Sequence, residues 1–321
     1  MVKSTIGNAY VFDAAFISLT DLVVSHTPYM LRVQDNLIGA SDKERNITET
    51  IKEFSLKPGE YDGTLLYLTG LDLKGRHFLS TNDTKYIDYQ AVRAALNGEG
   101  SHVLTRVLNL VALVETTDNK LVFGHKTTAH MGGLYSPPAG FSDHDNPVPA
   151  DYFARLTVEE ISEETGVSVD KKSLMYVGLT SGDDSRNITV VTYARVNETA
   201  EGLETAFTEL NRKLIEAGDR VEHDHLLYVP SDPDSVREFL ANRYTGVLNS
   251  WQGIHFENGV CTAGPEDIKR QEYGQIGNCV AAVLALMKQR CDDKTYANMV
   301  NEIKIAGVVD DVVHVNLEDM L

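Results

Sequence analysis

The stretch from Ala150 to Val167 constrains this chain more than any other. Wound at about 100° per residue, Ala154, Val158, Ile161 and Thr165 gather on one side. Glu160, Glu163 and Glu164 fall within roughly 100° of one another, about 140° from the apolar group. Such a helix needs an apolar layer beneath it and something to offset its carboxylates, which repel by about a few tenths of a kcal/mol per exposed pair. Gly166 suits the left-handed position that closes it. A divalent ion would turn the repulsion into attraction, because hard Mg²⁺ takes oxygen ligands and keeps waters and a phosphate besides. A solvated acidic face would explain the same spacing.

The flanks supply the layer. Val107–Glu115 and Lys120–Lys126 read as two strands joined by a Thr-Asp-Asn turn, and Ser173–Thr180 and Asn187–Val196 as two more. A helix over Ala206–Ala217 precedes a strand at Leu226–Val229. Strand–helix–strand order with mixed neighbours predicts an α/β (α+β) sandwich. Before it, Ala9–Leu19 and Leu22–Val33 read as strands or a buried hairpin, Thr64–Leu73 and Arg76–Thr81 as a hairpin about Lys74-Gly75, and Lys43–Phe54 and Tyr89–Leu96 as helices. Asn97-Gly98-Glu99-Gly100 is the best linker. From Asp232 onward the chain reads as mainly helical. The division expected is residues 1–100 (β-rich), 101–235 (the sandwich) and 236–321 (a helical extension).

Composition excludes several partners. With 29 Lys and Arg against 47 Asp and Glu in 321 residues, the net charge is −18. That field repels phosphate backbones and anionic membranes, so no nucleic-acid or membrane partner is expected. An anionic substrate would need a cation at the contact. The three cysteines, Cys261, Cys279 and Cys291, form no C-x-x-C pair, and Met1-Val2-Lys3-Ser4 opens no apolar run. A reducing cytoplasm without a signal peptide is therefore expected, and the Asn-x-Thr triplets at Asn46, Asn82, Asn187 and Asn197 are read as chance matches. Val280–Met287 is too short to span a bilayer and reads as a buried or interface helix, which leaves a homodimer open.

Residues 159–167, Glu-Glu-Ile-Ser-Glu-Glu-Thr-Gly-Val, resemble the end of the Nudix box, G-x5-E-x7-R-E-U-x-E-E-x-G-U. Glu160, Ile161, Glu163, Glu164, Gly166 and Val167 match in place. Leu134-Tyr135-Ser136-Pro137-Pro138-Ala139-Gly140 is similar to the family's strand ending in a proline–glycine turn. The resemblance covers roughly residues 103–230. It implies a Nudix-type α/β/α sandwich with a mixed sheet, and a pyrophosphatase that cleaves the diphosphate of a nucleoside diphosphate linked to another moiety. It implies Mg²⁺ or Mn²⁺ held by Glu163 and Glu164, with Glu160 as a third ligand or base and the Gly140 carbonyl completing the shell.

The box also departs from its pattern. Glu159 stands where the family has arginine, Asp151 aligns with the first glutamate, and the leading loop is five residues too long if Gly140 is the box glycine. Asp151, Arg155 and Glu159 are spaced i, i+4, i+8, so Arg155 is expected to replace the missing arginine in part; an ordinary surface ladder is the alternative. Thr84-Lys85-Tyr86-Ile87-Asp88-Tyr89 ahead of such a box resembles the UDP-glucose/UDP-galactose diphosphatase branch. That makes Tyr86 a candidate substrate contact, unless Tyr86 and Tyr89 only anchor the N-terminal segment. Lys126 follows the second strand where relatives place a basic residue on phosphate, a plain surface lysine being the alternative, and Glu222 stands near the last strand where some relatives keep an extra ligand or base. His223 and His225 read as solvated residues of a polar loop. Ser136 lacks a G-x-S-x-G elbow, and Gly132-Gly133 is too short for a P-loop.

Three readings therefore stand. One is a metal-dependent hydrolase of nucleotide sugars, ADP-ribose or nucleoside triphosphates. Another is a catalytically silent nucleotide-binding module. The third is an interaction protein using the Ala-rich helix near Cys279–Cys291.

Overall fold

A computed structural model describes residues 7–12, 15–49, 62–73, 77–96, 102–126, 134–144, 147–183, 186–241, 252–257, 260–265 and 277–315. The N-terminal part contains β1 (Asn8–Phe12), β2 (Ile17–Ser18), β3 (Val23–Met30), α1 (Asp42–Glu49), β4 (Thr64–Asp72), β5 (Phe78–Lys85) and α2 (Tyr86–Leu96). Next come β6 (Leu108–Glu115), β7 (Lys120–Lys126), β8 (Tyr135–Ser136), β9 (Ala139–Phe141), α3 (Tyr152–Thr165), β10 (Met175–Gly182), β11 (Ile188–Arg195), α4 (Ala200–Ala217) and β12 (His223–Pro230). The remainder holds α5 (Pro233–Leu240), β13 (Gln252–Glu257), β14 (Val260–Pro265), α6 (Gly277–Arg290), α7 (Asp293–Ile305) and β15 (Asp311–Val315). The expected linker at 97–100, the second half of the 43–54 helix and Gly132-Gly133 lie outside the described residues.

The fold is mixed α/β. The central sheet runs β12-β7-β6-β11-β10-β1-β15, with β6 parallel to β11 and β1 parallel to β15. Every residue of β6 is buried, as a strand covered on both faces must be. Its side chains alternate between two cores. Leu110, Ala112 and Val114 join Phe153, Leu156 and Ile161 of α3 and Leu203 and Phe207 of α4. Val111 and Leu113 join Phe239 of α5, Val280–Met287 of α6 and Met299 of α7. Helices thus cover both faces. A second sheet, β3-β5-β4, contributes Val24, Leu66, Leu68 and Leu79 to the α3-side core.

Local chemistry sets the ends. Asn119 takes the left-handed conformation, φ 57°, in the tight turn between β6 and β7. α3 stops at Gly166, whose φ is 77° and where a Cβ would stand 2.7 Å from the Ala206 carbonyl oxygen. Glycine is required there twice over. α4 begins six residues before the expected Ala206, because Thr199 caps it by accepting from the Gly202 N–H. The expectation of a mainly helical tail is corrected in two places: β13 and β14 form a hairpin, and β15 closes the central sheet against β1. Val280–Met287 is a buried helix, each residue at most 1% exposed. Among the described residues no helix is long and apolar enough to cross a membrane.

Candidate active site

β6 and β7 share a ladder only at Val114–Val122 and Glu115–Leu121. Beyond it the short strands lie between them, β8 on β7 and β9 on β6, where Leu110 faces Gly140. This wedge carries residues 134–141 past the α3 glutamates. A Cβ at Gly140 would overlap the Glu160 carboxylate. The Ala139 N–H donates to Glu164 Oε1 at 3.3 Å.

The three glutamates sit in different surroundings. Glu163 is exposed, Glu160 half-buried, and Glu164 buried at 5% exposure. Burial pushes the Glu160 carboxyl up to about 7, helped by the negative charges of Glu163 and Glu222. Burial pushes Glu164 up to about 8, outweighing the Lys126 ammonium that lies 3.7 Å from its Oε1. Lys126 also reaches within 4.0 Å of Glu222 Oε2. Among the described residues, the positive charge within this cluster is Lys126, from the end of β7. Arg155 lies in an exposed ladder, with its Nε donating to Asp151 Oδ1 at 2.9 Å while Lys171 takes Asp151 Oδ2 at 3.2 Å.

His223 completes the cluster and corrects the reading of a solvated H-x-H loop: β12 begins at His223, and both histidines are buried. Gly124 makes this possible, since a Cβ there would overlap the His223 ring. Burial, reinforced by Lys126, keeps His223 well below its ordinary value and therefore neutral. Its Nδ1 stands 3.4 Å from Glu164 Oε2. Both ring nitrogens and that oxygen are buried without a hydrogen-bond partner. Buried polar atoms are rarely left so, and several around one carboxylate call for a water or an ion between them. The sequence signal for this was Gly124, an isolated glycine in an apolar strand, which marks a close approach.

His225 faces the other core. Its Nδ1 and that of His125 stand 2.6 and 2.8 Å from Asp224 Oδ1, and the Tyr135 hydroxyl stands 2.7 Å from its Nε2. Although burial opposes it, bonding to both histidines holds the Asp224 carboxyl well below the usual range. The group is satisfied internally and braces β7 against β12.

Tyr86 opens α2, its ring 5.3 Å from that of Phe141 and edge-on to it, and Tyr89 packs on the same ring. These contacts anchor α2 to β9. The Gln90 amide donates to the Tyr86 hydroxyl at 2.6 Å.

No family model matches the sequence, and no curated protein does. Among solved structures the chain has a weak likeness to the crystal structure of a bifunctional NMN adenylyltransferase/ADP ribose pyrophosphatase from Francisella tularensis, complexed with AMP and a Mn ion. Identity is 11% and the TM-score 0.25. The likeness spans 39% of this chain and 34% of that one. A match that weak bears on neither fold nor function.

Proposed function

We propose that the chain is a Nudix-type, divalent-metal-dependent hydrolase that cleaves the diphosphate of a nucleoside diphosphate linked to another moiety, a nucleotide sugar being the first substrate to try. The observation that carries this reading is the unmet polarity around Glu164: a buried carboxylate oxygen and a neutral imidazole lack partners beside a glycine that leaves room for Glu160. Carboxylates forced to hold protons near neutral pH bind a hard cation by giving those protons up. The residues present therefore fit Mg²⁺ or Mn²⁺.

In this reading Glu163 and Glu164 are ligands, Glu160 is the third ligand or the base, and the Gly140 carbonyl would complete the shell. Bound there, the ion would neutralise charge on the phosphate oxygens and make a water more acidic. Glu160, with its affinity for a proton near neutrality, takes the proton from the attacking water as the P–O anhydride bond breaks. Lys126 binds phosphate from the end of β7. Tyr86, held on Phe141 next to Gly140, lies at the margin of the site as a substrate contact. His223 borders the site, its Nδ1 3.4 Å from Glu164 Oε2. The division at residues 100 and 235 belongs to the same proposal, with the middle segment carrying the chemistry.

A second reading is a Nudix-like module that binds a nucleotide without turning it over, and Lys126 is the observation that favours it. Its ammonium already supplies positive charge to Glu164, as a metal would. A panel of nucleotide sugars, ADP-ribose and nucleoside triphosphates, assayed for phosphate products with Mg²⁺ and again with EDTA, separates the two. Metal-dependent turnover of one class supports the hydrolase. Tight binding without turnover supports the module.

A further inference from the structure

Away from the glutamate helix, three ligating side chains converge where the small sheet meets the segment after β9. His26 lies on β3, Asp83 on the adjoining β5, and His144 three residues beyond β9. Their side chains are 6%, 6% and 2% exposed. The Nε2 atoms of both histidines approach a single oxygen, Asp83 Oδ1, to 3.3 Å from His26 and 3.1 Å from His144. His26 Nε2 and Asp83 Oδ1 are nevertheless buried without a hydrogen-bond partner.

We propose that His26, Asp83 and His144 hold a divalent first-row transition metal of the zinc class. Zinc binds imidazole nitrogen and carboxylate oxygen at about 2.0–2.1 Å, so two ligands of a tetrahedron stand about 3.3 Å apart. The two nitrogen–oxygen separations match that edge, and all three ligand atoms lie within 4.8 Å of one another. The far side of the His26 ring is held as in metal sites: its Nδ1 lies 3.2 Å from the hydroxyl of buried Thr81. With Nδ1–H donated to Thr81, the Nε2 lone pair faces a carboxylate oxygen, which is repulsive until a cation lies between them. The His125–Asp224–His225 group differs here, because Asp224 is hydrogen-bonded by its histidines. Imidazole with one carboxylate selects a borderline metal over Mg²⁺. Three protein ligands leave a position for water.

Such an ion would fasten three separate segments. His144 is tied to β4 through its N–H, which donates to the Thr64 carbonyl at 3.1 Å. Its neighbour Asp143 accepts from the hydroxyl of Tyr152, the first residue of α3. The site would therefore lock the small sheet onto the segment that leads into the glutamate helix. It rests on different residues from the proposed active site.

The test is metal analysis of the full chain purified without chelator, then stripped with dipicolinate and reloaded with Zn²⁺ or Co²⁺. About one equivalent of Zn²⁺ is expected, with visible Co²⁺ absorption of a four-coordinate nitrogen–oxygen site and a Tm lowered by roughly 5 °C or more on stripping. Asp83→Asn and His26→Gln should lose the tight equivalent and the chelator sensitivity, whereas Glu164→Gln should keep both. A wild-type protein that takes up no stoichiometric Zn²⁺ and keeps its Tm in dipicolinate would overturn the site, and that measurement needs no variant to fold. Equal Zn²⁺ retention by Asp83→Asn and His26→Gln would also overturn it.

Discussion

Gly140 leaves open the space that Glu160 fills: the glutamate carboxylate lies where any side chain at position 140 would begin. The overlap is with the free end of a flexible side chain, so an alanine there should fold. Gly140→Ala should cost about 1–3 kcal/mol of stability through overpacking. It should also turn Glu160 out of the cluster and lower kcat by tenfold or more. Urea unfolding paired with steady-state kinetics checks this, and an unchanged kcat would show that Glu160 has no part in turnover.

Glu164 ties stability to pH. Its carboxyl titrates at about 8 when folded, against an ordinary 4.5. Between those values the unfolded chain is ionised while the folded chain keeps its proton, so the folded state binds more protons and stability falls as pH rises. The slope is at most about 1.4 kcal/mol per pH unit for one proton. Glu164→Gln lacks this titration. The variant should match wild type near pH 5 and exceed it by pH 8 in metal-free buffer, while saturating Mg²⁺ should flatten the wild-type slope. Parallel curves from pH 5 to 8 would remove Glu164 from the linkage.

Lys126 and Arg155 are separable. Lys126 stands within reach of Glu164, whereas Arg155 is bound to exposed Asp151. Lys126→Met should raise KM several-fold and shift the Mg²⁺ requirement downward, since it removes a competing cation. Arg155→Ala should cost about 0.2–1 kcal/mol of stability, as exposed pairs do, and move the Mg²⁺ titration less than Lys126→Met does. A larger metal effect at Arg155 would restore it as the substitute for the missing box arginine.

How much of this was legible in the sequence varies with how local the cause is. α3 was readable because its apolar face, its acidic face and its Gly166 stop lie in one stretch. The β6–β7 pair was readable for the same reason, since Asn119 marks its turn. β12 was read three residues short because His223-Asp224-His225 looks like solvent-facing polarity. What absorbs that polarity comes from distant β7, as the empty Cα of Gly124 and the pairing of His125. β15 was invisible for an analogous reason: its partner is β1, at the other end of the chain.

That pairing bears on truncation. β1 lies between β10 and β15, and Ala9 and Val11 face one core while Tyr10 and Phe12 face the other. A chain beginning at Ser101 would open a sheet edge and uncover both cores, at about 1.5–3 kcal/mol for each large apolar side chain exposed. It should be poorly soluble or lose substrate affinity. A monomeric, soluble fragment with unchanged KM would show the first hundred residues to be independent of the site.

Whether the α3 carboxylates hold a catalytic cation is decided by phosphate release from the best nucleoside diphosphate substrate at several Mg²⁺ concentrations, in wild type, Glu163→Gln and Glu164→Gln. Each change keeps side-chain volume and removes one charged oxygen ligand, so the fold should hold, and Glu164→Gln should gain stability by pH 8 in metal-free buffer. Turnover should vanish with EDTA and fall by more than about tenfold in both variants, because Mg²⁺ tolerates few lost carboxylates. Activity kept within about tenfold of wild type in both would contradict that role.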